Sequence, residues 1–576
     1  MYLKLKFGLD WYKFWGLVFL VSLFWSLGKA GVFEQDVVNV GGVTLVWRFL
    51  VAAVSPDLSW EFLQLTGEAT LKTLGFAVCG TSLSVLIGMV GGLLSAQVWW
   101  RAVAAKGGGT PWLMVRAVLA IPRSIHEAIW GLFFVNIFGL DPLVGILAIA
   151  IPFGAITAKV FSEILDETPR QPLLALLNSG VSPFKAFLYT LIPQAFLNLL
   201  SYTFYRFECS IRAAAVLGII GAGGLGYEIL LSLQSLRYEQ MWTLLIALVV
   251  LTGSTDFWSA MLRRRLGAPS RLDINVLNLS SGYGGWGVGN RQAIVASPRS
   301  RLPSLSLVTL SGIGTVILII FSFWYVRADF SKLWSPRTGQ LLSAIVRAAF
   351  PPDSSQINQL FTLSQQTLAM SIVAMTIAGL GGIFLSFPAA TNLLSPGGLL
   401  YPEQPHHLPS KIFNLKSLIV VVLSRFVLLF ARAIPEPIWA LIFLFVLFPG
   451  ILPGAIALGL HNLGILGRLM AEVTENLDRR PLRSLTALGA TAPSVFLYGV
   501  LPRTLPRFLA YILYRWEVCT RATVIVGLVG AGGLGRLLTE QLSSFDYRGL
   551  VTTLIVFISL TFIVDLISAS VRRTLR

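Results

Sequence analysis

The chain contains a long internal repeat, and this repeat constrains its fold more than any other feature. The first copy reads RFECSIRAAAVLGIIGAGGLG from Arg206 to Gly226, and the second reads RWEVCTRATVIVGLVGAGGLG from Arg515 to Gly535. Matched residues are 309 positions apart, and this offset holds without a gap from Arg123 to Gly226 in the first copy. A repeat of this length indicates two copies of one structural unit in a single polypeptide.

The composition places both copies in a membrane. Of the 576 residues, 55% are hydrophobic and only 12% are charged, whereas soluble domains average about 25% charged residues. Apolar stretches near the ~20 residues needed to cross a bilayer recur along the chain. These features predict an all-α polytopic membrane protein and exclude an ordinary soluble domain.

Basic residues cluster beside the apolar stretches, so the net charge of +17 does not indicate a nucleic-acid-binding patch. Such clusters are typical of the cytoplasmic ends of membrane spans. They are Lys4, Lys6 and Lys13 before the first stretch, Arg263, Arg264 and Arg265 after the first half, and Arg572, Arg573 and Arg576 at the end. We therefore predict that both termini are cytoplasmic.

The apolar pattern predicts six helices in each half, about twelve in all. In the first half they lie near residues 12–29, 70–98, 113–138, 142–165, 187–207 and 240–262, and in the second near 305–326, 364–389, 416–447, 450–473, 496–516 and 548–570. The predicted units are residues 1–265 and 305–576. Residues 266–304 between them are rich in Gly, Ser and Arg, which is typical of a flexible cytoplasmic linker.

Enzymatic and metal-binding motifs are missing from the sequence. It has no Gly-x-x-x-x-Gly-Lys-[Ser/Thr] phosphate loop, so we expect no ATP hydrolysis by this chain. It offers no convincing nucleophile and base, and the three cysteines are not spaced as metal ligands. The adjacent His406 and His407 lie in a Pro-rich loop, where solvated histidines are far commoner than ligands. We predict no metal and no cofactor in the chain itself.

A repeated segment joins the fourth and fifth predicted helices of each half. It runs from Glu163 to Pro193 in the first half and from Glu472 to Pro502 in the second. The pattern predicts a short amphipathic helix that stops at a glycine, a usual C-terminal cap. Such a helix on a membrane face is well shaped to occupy a groove on a partner. The alternative is a turn that packs only on its own protein.

The glycine-rich end of the repeat satisfies a dinucleotide-binding pattern as a string, but its context does not. That pattern requires a preceding strand and a following soluble helix, whereas these glycines follow membrane-helix sequence. We predict a helix break with tight turns and close backbone approach. The glycines are Gly221, Gly223, Gly224 and Gly226, with Gly530, Gly532, Gly533 and Gly535 in the second half.

Charged residues within the apolar helices recur four positions apart in both halves, a spacing that favours salt bridges on one helical face. A charge in a membrane segment costs roughly 2.5–3.5 kcal/mol on insertion scales, so these side chains should face the interior. They either neutralise each other to hold the bundle, or the arginines line the path of an anion. The candidate path residues are Arg123, Glu127, Glu208, Arg212, Arg432, Glu436, Glu517 and Arg521.

The segments that begin at Glu163 and Glu472 resemble the EAA-type coupling segment of bacterial ABC importer permeases. Together with Arg-x-x-x-Glu-x-x-Trp and the Arg-Ala-containing glycine phrase, they make the chain similar to phosphonate ABC importer permeases. The resemblance implies a tandem duplication of a six-helix type I permease unit, although that family usually forms homodimers of half-length subunits. By the same resemblance, the residues that belong to the ATPase-coupling loops are Glu163, Gly180, Pro193, Glu472, Gly489 and Pro502.

The resemblance also implies partners, a location and a cargo. Two copies of an ABC ATPase subunit would bind ATP and Mg, and a periplasmic or lipid-anchored binding protein would deliver the substrate. The chain would lie in a bacterial inner membrane and move phosphonate, phosphite or phosphate inward by alternating access. Alternatives are an ABC permease for ferric iron, thiamine or methionine, and a secondary transporter with six-plus-six repeats. A secondary transporter would not need the repeated coupling segment.

Overall fold

The structure is a computed structural model, and it describes residues 11–33, 39–103, 109–266, 307–353, 355–394 and 410–574. Lys4, Lys6, Arg576 and the pair His406 and His407 lie outside these residues, as does the predicted linker apart from Leu266. The described residues of both halves are almost entirely helical, as the sequence predicts.

The first half contains eleven helices in the described residues. They are α1 (Trp11–Lys29), α2 (Val40–Ala52), α3 (Trp60–Ser95), α4 (Gln97–Val103), α5 (Gly109–Ser124), α6 (Glu127–Phe138), α7 (Pro142–Glu167), α8 (Gln171–Asn178), α9 (Pro183–Leu217), α10 (Leu225–Gln234) and α11 (Tyr238–Leu266). A π-helical turn at Gly218–Ala222 follows α9.

The second half repeats this order. Its helices are α12 (Leu307–Val326), α13 (Pro336–Ala349), α14 (Ile357–Ala389), α15 (Thr391–Leu394), α16 (Ser410–Ala433), α17 (Glu436–Val446), α18 (Ile451–Glu475), α19 (Arg480–Ala487), α20 (Ala492–Val495), α21 (Leu501–Leu528), α22 (Gly533–Ser543) and α23 (Tyr547–Thr574). A 3₁₀ helix at Phe330–Trp334 precedes α13, and a π-helical turn at Phe496–Val500 precedes α21.

Seven of the described helices are long and apolar enough to cross a membrane, and four bent pairs bring the number to at most eleven. The sequence predicts about twelve. The predicted span that is missing from the eleven is α1, although its counterpart α12 is one of the seven.

The third predicted span of each half is two helices rather than one. α5 and α6 meet at 86°, and α16 and α17 meet at 93°. The repeated tryptophan closes both bends, because Trp130 Nε1 donates to Pro122 O and Trp439 Nε1 to Ala431 O, each at 3.2 Å. The continuous helices predicted over 113–138 and 416–447 are therefore wrong at this point.

The two halves exchange their first helices. α1 packs on α14 of the second half, and α12 packs on α3 of the first. α2 also packs on the second half, at α17. Asn39 N, just before α2, donates to Val446 O at 2.7 Å, and a Cβ added at Gly42 would lie 1.6 Å from Phe445 O. One continuous apolar core consequently contains residues from both copies, such as Leu217 and Ile438.

Each glycine phrase forms a break between two helices. α9 and α10 meet at 57°, and α21 and α22 meet at 50°. Three glycines at each break have positive φ, a region that glycine enters without a Cβ clash: Gly221, Gly223 and Gly224, with Gly530, Gly532 and Gly533 in the second half. A Cβ at Gly226 would lie 1.8 Å from Ala215 O, and one at Gly535 would lie 2.6 Å from Val524 O. Close approach of another backbone segment explains why glycine, which has no Cβ, stands at these last two positions.

Candidate functional site

The glutamates of the fifth spans contact the last helix of their own half. Glu517 Oε1 accepts from Arg572 Nη1 at 2.5 Å, and Glu208 Oε1 lies 3.8 Å from Arg263 Nη2. The salt bridges expected with Arg212 and Arg521 are therefore wrong among the described residues. α11 and α23 run beside α9 and α21, so their arginines reach the carboxylates across the helix interface.

Histidines contact the glutamates at the bends in α5–α6 and α16–α17. Glu127 Oε2 lies 3.1 Å from His126 Nδ1, and Glu436 Oε1 lies 3.3 Å from His461 Nε2. Because the chain turns between α5 and α6, and again between α16 and α17, the expected pairing with the preceding arginines is wrong here too.

The arginines at these bends instead approach the other half of the molecule. Arg432, at the end of α16, forms an ion pair with Asp256 on α11. Arg212 lies within electrostatic range of Asp256 and of Arg432. We call Arg212, Asp256 and Arg432 the α11 cluster. It joins the third span of the second half to the fifth and sixth spans of the first.

A counterpart, the α23 cluster, consists of Arg521, Asp565 and Arg123. Arg123 lies within electrostatic range of both other members. The two clusters are related by the repeat, yet their contacts differ. Within the described residues Arg123 has no ion-pair partner, and Oδ1 of Asp565 is buried without a hydrogen-bond partner. The sequence symmetry is thus broken where charges meet across the halves.

Two further arginines, Arg206 on α9 and Arg515 on α21, both lie within electrostatic range of Tyr205. Arg206 donates to Tyr202 Oη at 2.7 and 2.9 Å and lies over the Phe153 ring at 5.0 Å. Its counterpart Arg515 donates from Nε to Asn462 Oδ1 at 2.5 Å. Arginine side chains are suited to binding an oxyanion, since their planar donors can contact two oxygens.

Sequence reasoning missed several of these charged residues. Arg206 and Arg515 open the repeated phrase but received no role. Arg263 and Arg572 were named only as basic residues at the ends of spans. The others lie outside the phrases singled out by sequence, although they keep the 309-residue offset: Asp256 with Asp565, and Lys159 with Arg468. Extending the repeat to every charged residue in an apolar helix would have found them.

The predicted coupling helices are present as α8 and α19. Each is anchored by one leucine, with Leu173 2% and Leu482 1% exposed, while most of the remaining surface of each helix is open. Gly180 and Gly489 follow them at φ of +81° and +83°. Their exposure favours a docking surface over a turn packed wholly on its own protein.

The other residues of the coupling segments lie in the flanking helices. Glu163 Oε1 is 3.8 Å from Lys159 Nζ, and Glu472 Oε1 accepts from Arg468 Nε at 2.8 Å. Pro193 lies inside α9, and Pro502 lies in the first turn of α21. Among the described residues, no three His, Cys, Asp or Glu side chains are grouped so that they could hold a metal ion.

Both halves match one protein family. The family is described as binding-protein-dependent transport system inner membrane component, and the matches cover residues 84–268 and 414–576. No solved structure matches the chain.

Three relatives are similar to different extents of the chain. The phosphate-import permease protein PhnE of Mycolicibacterium smegmatis is 26% identical over 510 residues, which cover 88% of this chain and 85% of the relative. The phosphite transport system permease protein PtxC of Stutzerimonas stutzeri is 32% identical over 257 residues, or 44% of this chain and 85% of the relative. A phosphite transport system permease protein of the same organism, HtxC, is 28% identical over 260 residues, or 45% of this chain and 83% of the relative. Most of PtxC and of HtxC therefore corresponds to less than half of this chain.

Proposed function

Because the chain belongs to the family of binding-protein-dependent transport system inner membrane components, we propose that it is the membrane subunit of an ABC importer for a phosphorus oxyanion. The cargo would be phosphonate, phosphite or phosphate. This choice rests on the relatives that align with one or both halves, because they are described as phosphate or phosphite permeases.

Charges that meet between the halves support an anionic cargo. Arg206 and Arg515 project from the fifth spans of the two halves, while Arg212 and Arg521 belong to the two cross-half clusters. Arginine donors can bind two oxygens of a tetrahedral anion at once. In this proposal the four arginines line the path, and the glutamates and aspartates position them.

The exposed helices α8 and α19 would each dock one ATPase subunit. Closure of two such subunits would move α8 and α19, and through α7, α9, α18 and α21 it would rearrange the cross-half clusters. This would expose the path alternately to the two sides of the membrane. A separate binding protein would deliver the anion, and ATP and Mg would be bound by the ATPase subunits.

Uptake by proteoliposomes tests the proposal. The chain is reconstituted with an ABC ATPase and a binding protein from the same organism, and ATP-dependent uptake of labelled phosphate, phosphite and methylphosphonate is compared with that of sulfate. We expect uptake of at least one phosphorus oxyanion, lost in Arg212→Gln plus Arg521→Gln. Arg347→Gln, a change at an exposed arginine on α13, is the matched control. If the double arginine variant and the control both keep wild-type uptake, Arg212 and Arg521 do not line the path. If none of the three phosphorus anions is taken up, the proposed cargo is refuted.

Thiol labelling tests the orientation. Ser179 and Ser484 are exposed beside and within the coupling helices, so Ser179→Cys and Ser484→Cys provide one site in each half. Of the three native thiols, Cys79 and Cys519 are buried and Cys209 is half-buried, so both variants are made in a Cys209→Ser background. In intact cells an impermeant reagent should label neither introduced cysteine, whereas it should label both in inside-out vesicles. Labelling of either cysteine in intact cells would place that helix on the wrong side for an ATPase.

A further inference from the structure

A basic cavity lies between α3, α5 and α7 of the first half. It has a volume of about 110 Å³ and is lined by Ser95, Arg116, Leu119, Arg123, Lys159 and Ser162. One water needs about 10–15 Å³ of such space, so the cavity has room for a small polyatomic ion. Three of its six lining residues are cationic and two carry hydroxyls.

Two of the cations lie at the edge of salt-bridge distance from a carboxylate, and the third is in no ion pair among the described residues. Arg116 lies 3.8 Å from Asp166, and Lys159 lies 3.8 Å from Glu163. Both distances are longer than a charge-assisted hydrogen bond. Arg123 has no ion-pair partner among the described residues, although Glu163 and Asp565 lie within electrostatic range together with the cations Arg116 and Arg521. All three cations therefore lack a close carboxylate contact and keep donors available to a ligand.

A buried hydroxyl at the cavity lacks a partner. Ser95 is 2% exposed, and its Oγ makes no hydrogen bond within the described chain. Its carbonyl oxygen is occupied, since it accepts from Trp112 Nε1 at 2.9 Å and from Arg116 Nε at 3.2 Å. A buried polar atom without a partner is costly, and a bound anion would satisfy it.

The second half has lost the features that make the cavity basic and polar. Ala389 stands in place of Ser95, because Arg425 Nε donates to its carbonyl as Arg116 does to Ser95. Ala471 stands in place of Ser162 at the 309-residue offset.

Each cation of the second half is also in direct contact with a carboxylate. The pairs are Arg425 with Glu475, Arg432 with Asp256, and Arg468 with Glu472. The cations of the second half are thus held in close ion pairs, whereas those of the first half are not.

We propose that this cavity is a binding site for a phosphate-type oxyanion, present in the first half only. Arg123 supplies a guanidinium that is in no ion pair within the described chain, Lys159 and Arg116 add donors, and Ser95 Oγ donates to an anion oxygen. The choice of phosphorus among tetrahedral oxyanions rests on the proposed cargo. The oxygen donors could belong to free phosphate or to the headgroup of an anionic lipid in the same leaflet.

Phosphate binding to the purified full chain tests the site. The chain is placed in nanodiscs of phosphatidylcholine, and the Kd for inorganic phosphate is measured by isothermal titration. Hydrogen bonds to charged groups predict that Arg123→Gln weakens binding about tenfold or more. Ser95→Ala, which imitates the second half, should weaken it about threefold or more. Arg425→Gln is the matched control, and it should leave the Kd unchanged.

Native mass spectrometry separates the two sources of the phosphate group. If an anionic lipid is the occupant, nanodiscs with phosphatidylglycerol will abolish phosphate binding. The wild type will then retain this lipid after detergent extraction, and Arg123→Gln will not. If free phosphate is the occupant, its Kd will not depend on phosphatidylglycerol. Either result supports the site.

Two results would overturn the site: equal affinities for the wild type, Arg123→Gln and Ser95→Ala, or the same loss for Arg425→Gln as for Arg123→Gln. Failure of phosphorus oxyanion uptake alongside Arg123-dependent phosphate binding would refute the proposed cargo but leave the site. Successful uptake with unchanged affinity in Arg123→Gln and Ser95→Ala would refute only the site.

Discussion

The ion pair between Arg432 and Asp256 should contribute far more to stability than its repeat-related counterpart. Both side chains of the pair are only 14% exposed. Removing one partner of a buried pair costs about 3–5 kcal/mol, since the other charge stays buried without compensation. In Asp256→Asn the Arg432 charge also keeps the repulsion of nearby Arg212. We therefore expect a loss of about 3 kcal/mol, or about a hundredfold in the folding equilibrium.

Asp565→Asn is the matched control. Arg123 does not contact Asp565 within salt-bridge distance in the described structure, so no buried pair is broken. We expect its free energy of unfolding to change by less than about 1 kcal/mol. A double variant, Asp256→Asn with Arg432→Gln, removes both charges and should recover about 1–3 kcal/mol relative to the sum of the single variants.

Reversible unfolding in mixed micelles provides the assay. Sodium dodecyl sulfate is titrated into the purified chain, and tryptophan fluorescence reports the free energy of unfolding for each variant. Equal losses for Asp256→Asn and Asp565→Asn would contradict the asymmetry between the α11 and α23 clusters. Strict additivity in the double variant would show that Arg432 and Asp256 do not interact.

Three further predictions concern other parts of the molecule. Gly226→Ala should abolish recovery of monodisperse protein, because the added Cβ would lie 1.8 Å from Ala215 O. Gly312→Ala is the control: no atom lies within 4 Å of its added Cβ, so it should elute from size exclusion as the wild type does. Leu173→Ala removes the buried anchor of α8 and should reduce co-purification of the ATPase. Leu174→Ala, at a 53% exposed position, should leave the fold intact by circular dichroism. Unchanged co-purification in both variants would contradict docking at α8. Hydrogen bonds from Ser59 lower the pKa of Asp57, so its stabilisation of the loop before α3 is present above the unfolded pKa and lost as pH falls through the folded value. Hydrogen exchange at residues 53–59, corrected for intrinsic rates, should rise on acidification in the wild type but not in Asp57→Asn, and equal pH profiles would refute this role.

Local sequence predicted the elements whose geometry depends on nearby residues. The glycine phrases predicted helix breaks because positive φ and close backbone approach are properties of the glycines themselves. The coupling helices were predictable because Gly180 and Gly489 cap short amphipathic stretches. The bends between α5 and α6 and between α16 and α17 were missed, because the apolar stretches on either side of each bend resemble one span. The local signals were present: His126 Nδ1 accepts from Ala128 N at the start of α6, and Pro437 lies in the first turn of α17.

The sequence by itself determined that this protein is a duplicated membrane bundle, since hydropathy and a 309-residue offset are properties of the chain alone. Only the tertiary structure decided which charges meet. Spacing of four residues puts Glu208 and Arg212 on one helical face, but Arg263 on a neighbouring helix reaches the carboxylate instead. Likewise, the related pairs Arg432 with Asp256 and Arg123 with Asp565 have the same residue types, yet only the first is in contact. Contacts between helices depend on how distant segments pack, and two copies of one sequence pattern can pack differently.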